Sequence, residues 1–275
     1  MPKKDVGLLA VVLLLASSPG FAQKGNDDGS FPNVTPARDS VALGEIVRTI
    51  PAPGPSTDGL AWDGTHLWAS DNKTNTIYQL DPADGTVLSS FLAPAGDFPN
   101  DLTWDGENLW VAVNDGDTIY EIDTLGNVLS SFPSPSSGPD GLAWDGLSLW
   151  HGDFDSNQIY RLDPETGAIL DAYGAVSPNG LAYDGSFVWY VDNEPTGFYA
   201  VDPANGTLVA TCPAPSGNPR GLTFDGTYLW VSESLADEIH QVETCTSTVF
   251  SDGFESGDTS SWSTTSGKAG TPLAR

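Results

Sequence analysis

Apolar and polar residues alternate in short runs along most of this chain, and the runs recur. From residue 59 the pattern predicts four strands, over residues 59–62, His66 to Ser70, Thr76 to Asp81 and Thr86 to Leu92, with the two-residue alternation of half-buried β-structure. Asp63-Gly64 is a tight turn in which glycine accepts positive φ. Asp81-Pro82-Ala83-Asp84-Gly85 turns the third strand into the fourth, and a Pro/Gly-rich loop from Ala93 to Asn100 leads onward. No segment joins a sustained helical period to capping residues, which argues against alternating strands and helices.

This unit returns four times. Trp62-Asp63, Trp104-Asp105, Trp144-Asp145, Tyr183-Asp184 and Phe224-Asp225 fall in register at spacings of 42, 40, 39 and 41 residues. Within each copy a second aromatic position, Trp68, Trp110, Trp150, Trp189 or Trp230, is followed nine residues later by Ile77, Ile119, Ile159, Phe198 or Ile239. Four antiparallel strands at a period near 40 describe the blades of an all-β propeller. The span from Glu45 to Cys245 supplies 201 residues, enough for five blades. The last copy, from Gly221, has three evident strands, while Glu45 to Pro53 matches the fourth strand and exit loop of the others. The segment at about 45–51 is therefore predicted to complete the fifth blade, closing the ring without an exposed long edge. Eight of the nine tryptophans occupy the two aromatic positions, where large rings fill the wedge between twisted blades. The Asp of each Asp-Gly turn, and Asp81, Asp123, Asp163 and Asp202, read as turn residues rather than ligands.

The flanks read differently. Lys3 and Lys4, an apolar run from Val6 to Ala16 and Gly20-Phe21-Ala22 before Gln23 have the order of a secretory signal peptide over residues 1–22. The run is too short to span a membrane, and the first cysteine, Cys212, is far from the position a lipid anchor needs. These features predict a secreted or periplasmic, monomeric protein. Residues 23–44 read as a flexible lead-in. Residues 246–275 form a tail whose Asp252-Gly253-Phe254-Glu255-Ser256-Gly257-Asp258 resembles a short motif near the C-termini of many exported bacterial proteins. Asp252, Glu255 and Asp258 could form a calcium loop, or the tail could be loosely docked.

Charge narrows the partners. The formal net charge is -27, with 28 Asp and 9 Glu among the acidic residues, so nucleic acid and anionic lipid are repelled and cations attracted. Asp over Glu favours turns over helices. In an exported chain the two cysteines could pair; the alternative is a buried Cys212 thiol at the outer-strand core position also held by Ile50, Phe91, Phe132 and Tyr173.

The residue two before the first-strand Leu is predicted to ring the tunnel entrance, on the face opposite the Asp-Gly turns. It is Asp58, Asn100, Asp140, Asn179 and Arg220 in turn. The position stays polar while varying from blade to blade, which a ligand-binding site built from different blades requires. Asp58, Asp140 and an asparagine such as Asn179 could ligate Ca²⁺ through oxygen, whereas Arg220 suits a carboxylate or other anionic group. Asp140 is the candidate general base, with Asp58 the alternative, should burial raise its pKa. Asp71, Asn72, Asn114, Asp115, Asp153, Asp155, Asp192, Asn193, Glu194 and Glu233 form a second tier from the loops after each second strand. No Gly-x-Ser-x-Gly elbow, activated cysteine or paired zinc ligands occur.

The stretches Pro139-Asp140-Gly141-Leu142-Ala143-Trp144 and Pro178-Asn179-Gly180-Leu181-Ala182-Tyr183 resemble the repeats of the senescence-marker/gluconolactonase-like and YncE-like propellers. That resemblance implies a divalent metal on Asn179 and Asp140, with Asp140 as base, in a lactonase-type hydrolase. The chain also resembles the five-bladed plant-type glutaminyl cyclases, whose polar ring has an Asn and a Lys in late blades, echoed by Asn179 and Arg220; Asp58 and Asn100 stand where that group has Gln and Glu. Three functions follow as expectations: a non-catalytic propeller binding a ligand, glycan or extracellular protein on its acidic face, a metal-assisted hydrolase, and a cyclase of N-terminal glutamine.

Overall fold

A computed structural model of the chain describes residues 44–244 apart from 97, 194, 195 and 216. The segments read from sequence as a signal peptide and most of the lead-in, together with Glu194 and the C-terminal motif, lie outside the described residues. Strand β1 (Ile46–Pro51) comes first. It is followed by β2 (Thr57–Trp62), β3 (Leu67–Asp71), β4 (Thr76–Leu80) and β5 (Val87–Leu92), then by β6 (Pro99–Trp104), β7 (Leu109–Val113), β8 (Thr118–Ile122) and β9 (Val128–Pro133). The third group is β10 (Pro139–Trp144), β11 (Leu149–Asp153), β12 (Gln158–Leu162) and β13 (Ile169–Gly174), and the fourth is β14 (Leu181–Tyr183), β15 (Val188–Asn193), β16 (Thr196–Val201) and β17 (Leu208–Cys212). β18 (Pro219–Phe224), β19 (Leu229–Glu233) and β20 (Glu238–Val242) end the described chain.

These strands make five four-stranded antiparallel sheets, and the chain is a five-bladed β-propeller. Four sheets are consecutive in sequence. The fifth runs β18-β19-β20-β1, with Ile50 opposite Ile239 and Pro51 opposite Glu238. The predicted closure by the N-terminal strand is thus what the structure has: β1 covers the free edge of β20, which would otherwise expose unpaired backbone groups.

The blades are held by five apolar cores, each lying between neighbours. Ala61, Trp68 and Ile77 of the first blade pack with Leu102, Leu109, Val111 and Ile122 of the second. The same arrangement continues round the ring until Trp230, Ile239 and Ile50 of the fifth blade meet Leu60, Leu67 and Leu80 of the first. The second-strand tryptophans therefore fill the wedges, as their spacing predicts. Trp68 also lies 6.1 Å from Phe91, Trp110 5.8 Å from Phe132 and Trp150 6.1 Å from Tyr173. Cys212 takes the place of those outer aromatics opposite Phe198. It is disulfide-bonded rather than a free thiol, and Cys245, the other cysteine, lies outside the described residues.

The turn aspartates do more than turn the chain. Asp63 Oδ1 accepts the N–H groups of Thr65 and His66, and Oδ2 accepts the Trp68 indole N–H at 2.9 Å. Partial burial pushes its carboxyl up, but the donors from His66, Trp68 and Thr65 hold it below the usual range. Each Asp-Gly turn so pins the tryptophan that wedges its blade.

Candidate functional site

The inner strands begin earlier than the alternation predicts, and the reason bears on the site. In β2 the pairing with β3 jumps from Thr57–Asp71 to Leu60–Ala69, and β6, β10 and β18 show the same irregularity. A bulge re-aims the side chain at which it falls. Here it falls at the variable ring position. Beside it, Gly59 and Gly221 pack so closely on the neighbouring blade that a Cβ would stand 2.3 Å from Asp101 Cα and 2.1 Å from Asp58 O. The blades thereby approach to backbone contact at the hub.

All five ring residues, Asp58, Asn100, Asp140, Asn179 and Arg220, line one cavity of about 280 Å³. Asp58 and Asn179 are buried, and Asn100, Asp140 and Arg220 are half-buried. The Asn72 side-chain amide donates to Asp58 Oδ2. Asn100 Nδ2 donates to Asp140 Oδ1 at 2.8 Å and to the Pro139 carbonyl at 2.9 Å, bridging adjacent blades. Asn179 Nδ2 donates to the Ser177 carbonyl at 3.1 Å, leaving its Oδ1 to accept from an Arg220 terminal nitrogen at 3.3 Å. Arg220 Nε is buried and has no hydrogen-bond partner among the described residues.

Burial pushes the Asp58 carboxyl up to about 6, against the pull of the Arg220 guanidinium and the Asn72 amide. Burial likewise pushes Asp140 up to about 7, with Arg220 opposing and Asp58 reinforcing the rise. Both acids therefore stand where a proton can be held or released near neutral pH. Arg220 opposes both without forming a direct ion pair among the described residues.

Calcium suits this donor set poorly. Among the described residues no group of three His, Cys, Asp or Glu side chains converges as a metal site. The Asn179 oxygen is engaged by Arg220, and that guanidinium places a fixed positive charge in the cavity. A divalent ion would have to share the first with the guanidinium and tolerate the second.

Sequence reasoning missed Asp101 and Phe154 and misjudged part of the second tier. Asp101 follows the ring position, where the other blades have Gly59, Gly141, Gly180 and Gly221. Its Oδ1 accepts the Leu60 N–H at 3.1 Å, and Oδ2 accepts those of Leu142 at 2.8 Å and Leu181 at 3.3 Å. Burial pushes this carboxyl well above the usual range, and backbone N–H groups of Leu142, Leu102, Leu181 and Leu60 pull against it. One side chain at the cavity floor thus ties four blades together. The lone Asp in a column of glycines was the available signal. Phe154, on the β11–β12 loop, is 44% exposed and lines the cavity, as do Asn72 and Asn114. Asp71, Asp153, Asp192 and Glu233, read as face residues, are instead buried. Asp71 Oδ2 accepts the Ser56 N–H at 2.8 Å and Glu233 Oε2 that of Asn218 at 3.2 Å, so these two organise the entry loops.

No protein-family model matches the chain, and no curated protein sequence matches it. Solved structures do. A glutaminyl cyclase of Myxococcus xanthus superposes with a TM-score of 0.64 at 18% identity, over 72% of this chain and 95% of that one. An inactive virginiamycin B lyase of Staphylococcus aureus with quinupristin gives a TM-score of 0.47 at 22% identity, over 70% of this chain and 68% of its own. A hydrazine synthase of Kuenenia stuttgartiensis gives 0.47 at 18% identity, over 66% and 56%. At these identities the likeness concerns the fold alone: the chain shares a five-bladed propeller architecture with the cyclase.

Proposed function

We propose that this chain is an exported binding propeller holding one small polar ligand in the hub cavity. The observation that supports the reading is the convergence of the five variable residues on one cavity, while the positions around them repeat. Its volume of about 280 Å³ lies near the lower end of small-molecule sites, which favours a compact ligand over a protein partner laid across the face. Arg220 and Asn179, joined at 3.3 Å, place a guanidinium and a side-chain amide on the wall of that cavity, groups suited to ligand oxygens. The test is thermal shift of the purified protein against a panel of small amines, carboxylates, amides and polyols, repeated on Asn179→Ala and Arg220→Ala. The reading expects at least one compound to raise the melting temperature and both variants to abolish that rise.

One observation favours a second, catalytic reading. Asp140, at about 7, is suited to proton transfer at neutral pH, and it shares the cavity with Asn179 and Arg220. Glutamine cyclisation, the activity named for the Myxococcus xanthus protein, needs such a group. Ammonia release from a peptide with N-terminal glutamine, lost in Asp140→Asn, would support this reading; no release by the native protein would end it.

A further inference from the structure

The cavity differs in charge from the molecule that surrounds it. Acidic residues outnumber basic ones 37 to 10 over the chain. Inside the cavity Asp58 and Asp140 share the space with Arg220, and Asp101 commits its oxygens to backbone N–H groups. A free cation would face Arg220, and a free anion would face the two acids. With groups of both signs on its wall, charge singles out neither.

What remains is dense hydrogen bonding. The side-chain amides of Asn100 and Asn179 are partly committed to Asp140, Ser177 and Arg220, yet each retains lone pairs or protons. The lining offers both donors and acceptors, so a complementary ligand needs groups that donate as well as accept. Hydroxyls do both. The exception among the polar lining is Phe154, an exposed ring at the mouth that calls for an apolar face. Hydroxyls around a perimeter with C–H groups on one flat face describe a sugar ring.

Resting on the reading of the cavity as a ligand site, we propose that it takes one pyranose, either a free monosaccharide or the terminal residue of a glycan. Phe154 lies against the C–H face, and Asp140, Asn179 and Arg220 bind neighbouring hydroxyls. The experiment is isothermal titration of the full protein with glucose, galactose, mannose and N-acetylglucosamine, and with cellobiose and chitobiose. Putrescine and a glutamine amide are the comparators. At least one sugar is expected to bind, with Phe154→Ala weakening it about three- to tenfold and Asp140→Ala about ten- to a hundredfold. Tighter binding of a disaccharide than of its monomer assigns the terminal residue of a glycan as the source, and the reverse order assigns the free sugar. Phe154 is exposed, so its variant keeps the fold. If no sugar binds but a comparator does, in a manner lost in Arg220→Ala, the pyranose assignment is wrong and the cavity reading stands. If nothing binds, or binding survives both Asp140→Ala and Arg220→Ala, both are overturned.

Discussion

In all five blades the turn aspartate holds the indole of a tryptophan five residues on, at 2.9, 2.9, 2.8, 2.7 and 2.8 Å, on the face away from the cavity. At the hub no two neighbouring blades do the same thing. Asp58 is bound by its own blade's Asn72, Asn100 reaches across to Asp140, Arg220 reaches back to Asn179, and Asp101 alone replaces a glycine. Stability is thus distributed over the turns and concentrated at the hub. A latch present five times can be lost once with a local effect, whereas the Asp101 knot serves four blades and exists once.

That contrast can be broken by mutation. The largest effects are expected at the two buried anchors. Trp150→Ala empties a wedge between blades and should cost about 3–5 kcal/mol in urea unfolding. Asp101→Ala leaves several buried backbone N–H groups without acceptors and should cost about 3 kcal/mol or more. Asp101→Gly, which restores the residue of the other four blades, should be no better, because the lost acceptor is what matters. Equal stability of Asp101→Gly and the native protein would show that the knot is ornamental.

An intermediate effect is expected from a single latch. Asp145→Ala should cost about 1–3 kcal/mol and alter the fluorescence of Trp150, with little change at the cavity. A cost matching that of Asp101→Ala would erase the distinction between repeated and single-copy support.

The next effect depends on pH. Asp140 ionises near 4 when unfolded but at about 7 in the folded chain, so the folded state holds the extra proton between those values. Stability from this group is full below about pH 4 and declines as pH rises through 7. Asp140→Asn, which cannot ionise, should therefore gain on the native protein as pH rises, by about 2 kcal/mol at pH 8 after allowance for solvent screening. The two should converge at pH 4. Parallel stability curves from pH 4 to 8 would mean that Asp140 is not desolvated.

The smallest effect concerns closure. Thr49 Oγ1 lies 2.9 Å from His240 Nδ1 across the β1–β20 pair. Thr49→Val should cost about 1 kcal/mol, small beside the apolar contribution of Ile50, and should leave ligand binding unchanged.

Much of this architecture was legible in the amino-acid order. Blade number, strand order, closure by residues near 45–51 and the wedge tryptophans all follow from a period near 40 and from an alternation that each blade must satisfy locally. The ring residues were legible as well, since they vary at a fixed register where everything else repeats. The roles of Asp71 and Glu233 were not, because an acidic residue after a strand looks alike whether it faces solvent or receives a loop N–H. Asp101 was visible as an exception but not as a knot, for its partners Leu60, Leu142 and Leu181 are 41, 41 and 80 residues away.

By itself, then, the sequence determined the repeated part of the protein, since pattern, turn chemistry and strand period are local and are restated five times. The membership of the hub was in the sequence too, but its geometry came from the fold. There the bulges turn single side chains inward, glycines let backbones touch, and burial sets the proton affinity of Asp58 and Asp140. Those are consequences of five distant segments meeting at one axis, and no local pattern encodes how close they come.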